Sequence, residues 1–312
     1  MPSFRIIRVV ALIVYGLAFL WSFQANGLPV ARLAVLAWVG GAFIVGSIGK
    51  PFARQRQMVV DLVFYATMWL AYDYSRGIAD SFGFPLQVEA PRNIDRALFF
   101  GTDPNAWMQH HFLESSVRWY DVLGSLVYFT HFFVPVASSV YLWIRHRESW
   151  LRYVRRFATV LFAGVLTYVV FPTAPPWMAS STRYPYRIME PLARPTGRGW
   201  SKLGLETVNS VLLKGQQWAN PTAALPSLHA AFALFVVVFF WNRMPNRIWR
   251  GASLMFPLAM ALTLVYFGEH YVTDIVLGWL YVGASFWFWS RWERRRAMNE
   301  TLTPAPSGNE VA

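Results

Sequence analysis

Apolar residues run along this chain in long blocks, broken at short intervals by arginine-rich punctuation. Eight blocks approach the roughly 20 residues that an α-helix needs to cross a bilayer: 5–23, 29–48, 57–75, 119–143, 154–171, 227–242, 251–268 and 271–290. The sixth is short but almost pure Ala, Phe, Leu and Val, and the second is interrupted by Arg32 and several glycines. The pattern predicts an all-α, polytopic membrane protein with about eight transmembrane helices. Two long connections, about 76–118 and 172–226, are too polar to span. The prolines of Phe171-Pro172-Thr173-Ala174-Pro175-Pro176-Trp177 stop the fifth helix. The aromatic, turn-rich Phe99–Gln109 stretch is expected at the interface as a short helix or re-entrant segment. A short amphipathic helix is expected over about 201–217, and no internal repeat is visible. The expected organisation is a two-helix addition over 1–50, a six-helix core over 51–296, and a polar, disordered tail over 297–312.

Charge turns this pattern into a topology. Arg5 and Arg8 precede the first block; Lys50, Arg54 and Arg56 follow the second. Arg145, Arg147, Arg152, Arg155 and Arg156 separate the fourth and fifth, Arg243, Arg247 and Arg250 the sixth and seventh, and Arg291, Arg294, Arg295 and Arg296 follow the eighth. With eight spans all five clusters fall on one side, which the positive-inside rule makes cytoplasmic. Both termini are then cytoplasmic, and both long connections face outward with the turn at Gly268-Glu269-His270. The expected location is the plasma membrane.

Composition narrows the class. Only 14% of the residues are charged, against roughly 25% for a soluble domain. The net charge of +12 does not signal nucleic acid, because the arginines lie between apolar runs and no recognition motif accompanies them. The absence of cysteine excludes disulfides and thiolate chemistry. The N-terminus has a basic start and an apolar stretch but no small-residue cleavage site, so it reads as a retained helix rather than a signal peptide.

Two histidines carry the candidate chemistry. His229 sits in Pro226-Ser227-Leu228-His229 and His270 in His270-Tyr271-Val272-Thr273-Asp274, each opening an apolar run on the expected outer face. Ionisable groups beside membrane helices are costly and usually functional. His270 and Asp274 are spaced i, i+4, so they share a helix face, and a carboxylate there fixes the imidazole tautomer. Pro226 suits a first helical turn, after which Ser227, Leu228 and His229 present unpaired N–H groups to an anion. The consistent mechanism is covalent phosphoryl transfer. Neutral His270 attacks phosphorus, Asp274 supports it, and His229 protonates the departing oxygen. A helix N-terminus disfavours the protonated His229 that this role needs. His110, His111 and His131 do not complete a metal site, since the adjacent pair points in different directions and no carboxylate spacing joins them. No metal or other cofactor is called for.

These segments resemble the second and third signatures of the type 2 phosphatidic acid phosphatase superfamily. The resemblance covers about 57–290 and implies His229 as general acid, His270 as nucleophile and Asp274 as its support. The usual Pro-Ser-Gly-His has Leu228 for glycine. The usual first signature, a lysine followed seven residues later by Arg-Pro, is missing near the end of the fifth helix. Leu264 stands where an arginine is expected six residues before the nucleophile. All three departures are similar to the inositol phosphorylceramide synthase branch, the aureobasidin target in fungi and its bacterial relatives. That branch is also similar at Tyr72-Asp73-Tyr74-Ser75-Arg76, at Phe99–Gln109 and at Pro172–Trp177.

The resemblance implies a phosphotransferase moving a phosphoinositol-like head group from a lipid donor to a lipid or glycan alcohol. The alternative with water as acceptor is a lipid phosphatase acting on phosphatidic acid or a polyprenyl phosphate. A lipid-phosphate transporter would need polar groups through the bundle interior, and the spans are largely apolar. Other cations must replace the missing clamp. Arg76 is the first choice, then Arg183 and Arg187, with Ser227 and backbone N–H groups as further phosphate contacts.

Overall fold

The computed structural model describes residues 2–27, 32–185, 187–208, 210 and 220–302. The described residues are helical, with isolated bridges but no strand. In chain order the α-helices are α1 (Pro2–Asn26), α2 (Arg32–Ser47), α3 (Phe52–Gly77), α4 (Ala90–Leu98), α5 (Pro104–Phe112), α6 (Trp119–Arg145) and α7 (Arg147–Val170). There follow α8 (Pro176–Ala179), α9 (Arg198–Lys202), α10 (Leu228–Phe240), α11 (Arg247–Ser253), α12 (Met255–Tyr266) and α13 (Val272–Leu302). Each of the eight apolar blocks is helical over its described residues, the seventh being divided between α11 and α12 at Leu254. Most of the amphipathic segment expected over 201–217 lies outside the described residues. The tail expected from 297 continues α13 as far as Leu302, and 303–312 lie outside the described residues.

Five helical stretches are long and apolar enough to cross a membrane: Ser3–Asn26, Trp119–Arg145, Arg147–Val170, Arg247–Tyr266 and Val272–Asn299. This is a membrane protein. Leu33–Ser47 and Leu228–Arg243 are apolar but shorter. The third helix is long enough, yet Arg54, Arg56, Asp61, Asp73 and Arg76 make it too polar to join the five.

The chain forms two compact units, one of Met1–Ile78 with Gly204–Asn220 and the other of Ala79–Leu203 with Pro221–Ala312. In the first, Trp38 of α2 receives the edges of Tyr15 and Phe19 of α1, and α2 packs on α3. The third helix thus groups with the first two.

The second unit is built around α10, which touches α6, α7, α12 and α13. A helix apolar on every side is a helix with no solvent face, and Leu-His-Ala-Ala-Phe-Ala-Leu-Phe-Val-Val-Val-Phe-Phe satisfies that condition. Its alanines let neighbours approach: Ala230, Ala231 and Ala233 are all buried. Leu228, where the usual signature has glycine, is accommodated by a complementary glycine. The side chain of Leu228 lies 3.0 Å from where a Cβ on Gly164 of α7 would stand. The far ends of α7 and α13 are fastened by charge, with Arg156 forking onto both Glu293 oxygens at 3.0 and 2.8 Å and Arg155 reaching Oε1 at 2.8 Å.

At the other end, α13 presses on the start of α10. A Cβ on Gly278 would stand 2.5 Å from the Ser227 carbonyl oxygen, a backbone atom with little freedom to yield. Gly278→Ala is therefore expected to cost about 1–3 kcal/mol, read as a lowered thermal midpoint of the purified protein. Gly283→Ala, which meets open space, is expected to leave the midpoint unchanged.

Candidate active site

The N-terminus of α10 is set by Ser227. It is the N-cap, and its hydroxyl accepts from the Ala230 N–H at 3.3 Å. Pro226 precedes the cap rather than occupying the first turn, and its carbonyl accepts from Tyr168 Oη of α7 at 2.9 Å. The Ser227 hydroxyl, expected to face phosphate, is thus buried and engaged in capping. His229 then projects from the first turn against α6. Its ring lies 4.9 Å from Tyr128 and 3.9 Å from His131, centroid to centroid.

The turn leading into α13 supplies the second histidine, two residues before the helix begins at Val272. Asp274 Oδ2 accepts from the Tyr271 N–H at 3.0 Å, closing the first turn, and lies 3.3 Å from His270 Nδ1. The Ser227 N–H donates to the Asp274 carbonyl at 2.9 Å, so the two helix starts are joined through one residue. As a carboxylate, Asp274 only accepts. His270 therefore carries its proton on Nδ1 and keeps a lone pair on Nε2. That nitrogen faces His229 Nδ1 at 3.3 Å, which makes His229 Nδ1–H the donor between the rings. His270 and Asp274 are 5% and 0% exposed, so the imidazole is held in a desolvated setting with Nε2 toward His229.

Residues of α5 and of the 171–227 connection hold the turn between α12 and α13. Asn105 Nδ2 donates to the Val265 and His270 carbonyls at 2.8 and 3.0 Å. Gln109 Nε2 donates to Tyr266 and Ala193 carbonyls, both at 2.9 Å. The Trp177 N–H donates to the Gly268 carbonyl at 2.9 Å. Asp95 of α4 caps α13, accepting from the N–H groups of Val272 at 2.7 Å and Thr273 at 2.8 Å and from the Thr273 hydroxyl. The N–H groups at this helix end are accordingly taken up by the protein's own carboxylate. Burial pushes the Asp95 carboxyl above the usual range, against the opposing hydrogen bonds from Thr273 and Val272. The Phe99–Gln109 stretch is an interior clasp as well as the short helix expected there: Asn105 is fully buried.

The cation brought to the histidine turn is Arg194, a residue missed in the sequence. Its Nε and Nη2 donate to Glu269 at 2.7 and 3.1 Å, Thr196 adds a hydroxyl at 2.8 Å, and the guanidinium lies 4.4 Å over the Trp177 ring. Burial pulls the guanidinium's proton affinity down, but the hydrogen bonds and charge of Glu269 raise it above its ordinary value. It also lies within electrostatic reach of Tyr128, the ring stacked on His229. A signal was present: Pro195 follows Arg194, and Arg187 precedes it by seven positions. This spacing is similar to that of the usual lysine and Arg-Pro signature, with arginine in place of lysine and in a loop rather than at a helix end.

The arginines named from sequence have their own surroundings. Arg76 belongs to the other compact unit, pairs with Asp73 at 3.5 Å and lies 5.7 Å over Tyr72. Arg183 and Arg187 are exposed, and the Arg187 guanidinium donates to the Met189 carbonyl at 3.1 Å. Leu264 is fully buried in the core, and its carbonyl accepts from the Glu269 and His270 N–H groups. Among the described residues no cluster of three or more histidine and carboxylate side chains is arranged to hold a metal.

Comparison with known proteins follows from this geometry. The family model described as PAP2 superfamily matches residues 92–288, a stretch that contains both histidines, Asp274, Asp95, Asn105 and Arg194 but not Arg76. A phosphoinositol dihydroceramide synthase from Bacteroides thetaiotaomicron is 26% identical over 234 residues, 72% of this chain and 73% of that protein. No solved structure matches significantly.

Asp95→Asn puts an amide N–H₂ where the start of α13 needs acceptors. It is expected to lower stability by about 1–2 kcal/mol, measured by thermal unfolding, and to slow turnover by loosening His270. Glu89→Gln, at the exposed entry to α4, is the control expected to change neither.

Proposed function

The chain belongs to the PAP2 superfamily, and on that premise we propose that it moves a phosphoinositol-like head group from a lipid donor to a lipid alcohol through a covalent adduct on His270. It is a membrane enzyme of the lipid phosphotransferase and phosphatase family. The observation that carries the finer reading is the Asp274–His270–His229 line, with the Nε2 lone pair facing His229 Nδ1 at 3.3 Å.

In the first half-reaction His270 Nε2 bonds to phosphorus and the bond from phosphorus to the lipid oxygen breaks. That oxygen leaves with the electron pair and takes the His229 proton. Asp274 stabilises the imidazole as it gains positive charge. In the second half-reaction the acceptor hydroxyl gives its proton to His229 and its oxygen attacks phosphorus. The electrons of the N–P bond return to Nε2.

The facing ring nitrogens lie 3.3 Å apart, so a phosphoryl group between them must part the rings. An in-line arrangement with phosphorus between nucleophile and acid needs roughly 6–7 Å between the two nitrogens. Arg194 heads the candidates for balancing phosphate charge, ahead of Arg76, Arg183 and Arg187, because it is held at the turn bearing His270. The arginine clusters favour an extracytoplasmic site and cytoplasmic termini in the plasma membrane. The name of the Bacteroides relative favours transfer to a ceramide-like alcohol over release by water.

Purified protein given phosphatidylinositol and dihydroceramide is expected to form a phosphoinositol-bearing sphingolipid and an equal amount of diacylglycerol, with no inorganic phosphate. His270→Ala is expected to lower the rate by at least about 10³-fold and His229→Ala by about 10²–10⁴-fold. A folded, active His270→Ala protein contradicts the covalent route. Inositol phosphate released in place of the new lipid contradicts the transfer.

A further inference from the structure

His229 is asked to be an acid at a place that disfavours its charge. It is the second residue of α10, where the N–H dipoles of the helix start oppose a cation. The side chains around it offer a counterweight. Tyr128 and His131, three residues apart on α6, both lay rings against it, at 4.9 Å and 24° and at 3.9 Å and 34°. Of the ring contacts His229 makes, that with His131 is the shortest.

We propose that His131 is a positioning residue for His229: a neutral imidazole whose π face holds the His229 ring and stabilises its protonated form. The proposal rests on the reading of His229 as the general acid.

The surroundings decide which imidazole takes the proton. His131 lies parallel to Phe232, 5.1 Å away at 4°, and Phe232 packs on Phe157 of α7 at 4.6 Å. Phe132 stands nearly perpendicular to each imidazole, 5.0 Å from His131 and 6.4 Å from His229. An aromatic bed of this kind penalises a second, desolvated charge. Two imidazolium rings 3.9 Å apart would also repel each other.

His229 faces more polar company. His270 and Asp274 lie on the α13 side, and Tyr128 stands on α6. Arg194, the nearby cation from the outer loop, is matched by Glu269. A cation over an aromatic face gains energy from the ring quadrupole, and Tyr128 and a neutral His131 both provide such a face. Holding the ring by its faces leaves its edge, and hence Nδ1, directed at His270. It also gives His229 a bed to slide along when the phosphoryl group parts the two histidines.

The test is the pH dependence of kcat/KM. His229→Gln first identifies the basic limb, which should vanish with the acid. His131→Ala is expected to move that limb to lower pH by roughly half to one and a half units, with KM unchanged. His131→Phe, which keeps a face, is expected to restore the wild-type limb. His131→Lys, which sets a cation beside the acid, is expected to lower it further. Thermal unfolding reports folding for each variant, and the Phe and Lys pair decides the matter if the Ala variant does not fold. A limb that stays in place or rises in His131→Ala overturns the proposal, as does a Phe variant no different from Lys. If the limb survives in His229→Gln, the general-acid reading falls and this proposal falls with it. A vanished limb that His131 does not move sinks the proposal alone.

Discussion

One backbone hydrogen bond joins the two histidine-bearing helices: the Ser227 N–H donates to the Asp274 carbonyl at 2.9 Å. The donor is the N-cap of α10, two residues before His229. The acceptor belongs to the residue whose carboxylate braces His270. Free N–H groups at a helix start and inward carbonyls are ordinarily satisfied within their own element or by solvent. Here they are satisfied across the interface, which fixes one helix start against the other. Gly278, one turn further along α13, is what allows the approach. The 3.3 Å contact between the imidazoles is a consequence of that docking.

The surrounding loops serve the same constraint from outside. The turn from Val265 to His270 exposes a series of carbonyls, and Asn105, Gln109 and the Trp177 N–H take them up. Asp95 takes the N–H groups on the other side of the turn. Buried polar groups without partners are expensive, so this network holds the histidine turn in one place before any substrate arrives. Preorganisation of that kind is what phosphoryl transfer asks of a protein, since the chemistry needs positioning and charge neutralisation more than new covalent machinery. The reach of the clasp also gives a physical reason for the aromatic, proline-bearing stretch at 99–109: it must re-enter the protein from the loop.

The helical blocks were legible because their signal is simple. Unbroken apolar length predicts helix, and all eight blocks are helical over their described residues, five of the resulting stretches being long and apolar enough to cross a membrane. The pairing of His270 with Asp274 was legible because an i, i+4 spacing needs no tertiary knowledge. What the sequence concealed depends on long-range contact. Asp95 lies 177 residues from Val272, and nothing local marks a buried aspartate on a polar loop helix as the cap of a distant helix. His131 looked like one of several scattered histidines until α6 was packed on α10. Arg194 was marked by its spacing from Arg187 and by Pro195, but in a loop rather than at a helix end. The third helix is different: it is long but polar, and Arg76 at its end pairs with its neighbour Asp73.

The central claim is that two displacements occur at phosphorus, the first on His270 and the second off it. Each in-line displacement inverts the phosphorus centre, so two in succession restore it. The most direct measurement is therefore the stereochemical course of transfer from a lipid donor made chiral at phosphorus with sulfur and oxygen isotopes. The account predicts net retention of configuration in the transferred head group. Net inversion would mean that the acceptor attacks the donor directly, and the histidine pair would then have to act without a covalent intermediate.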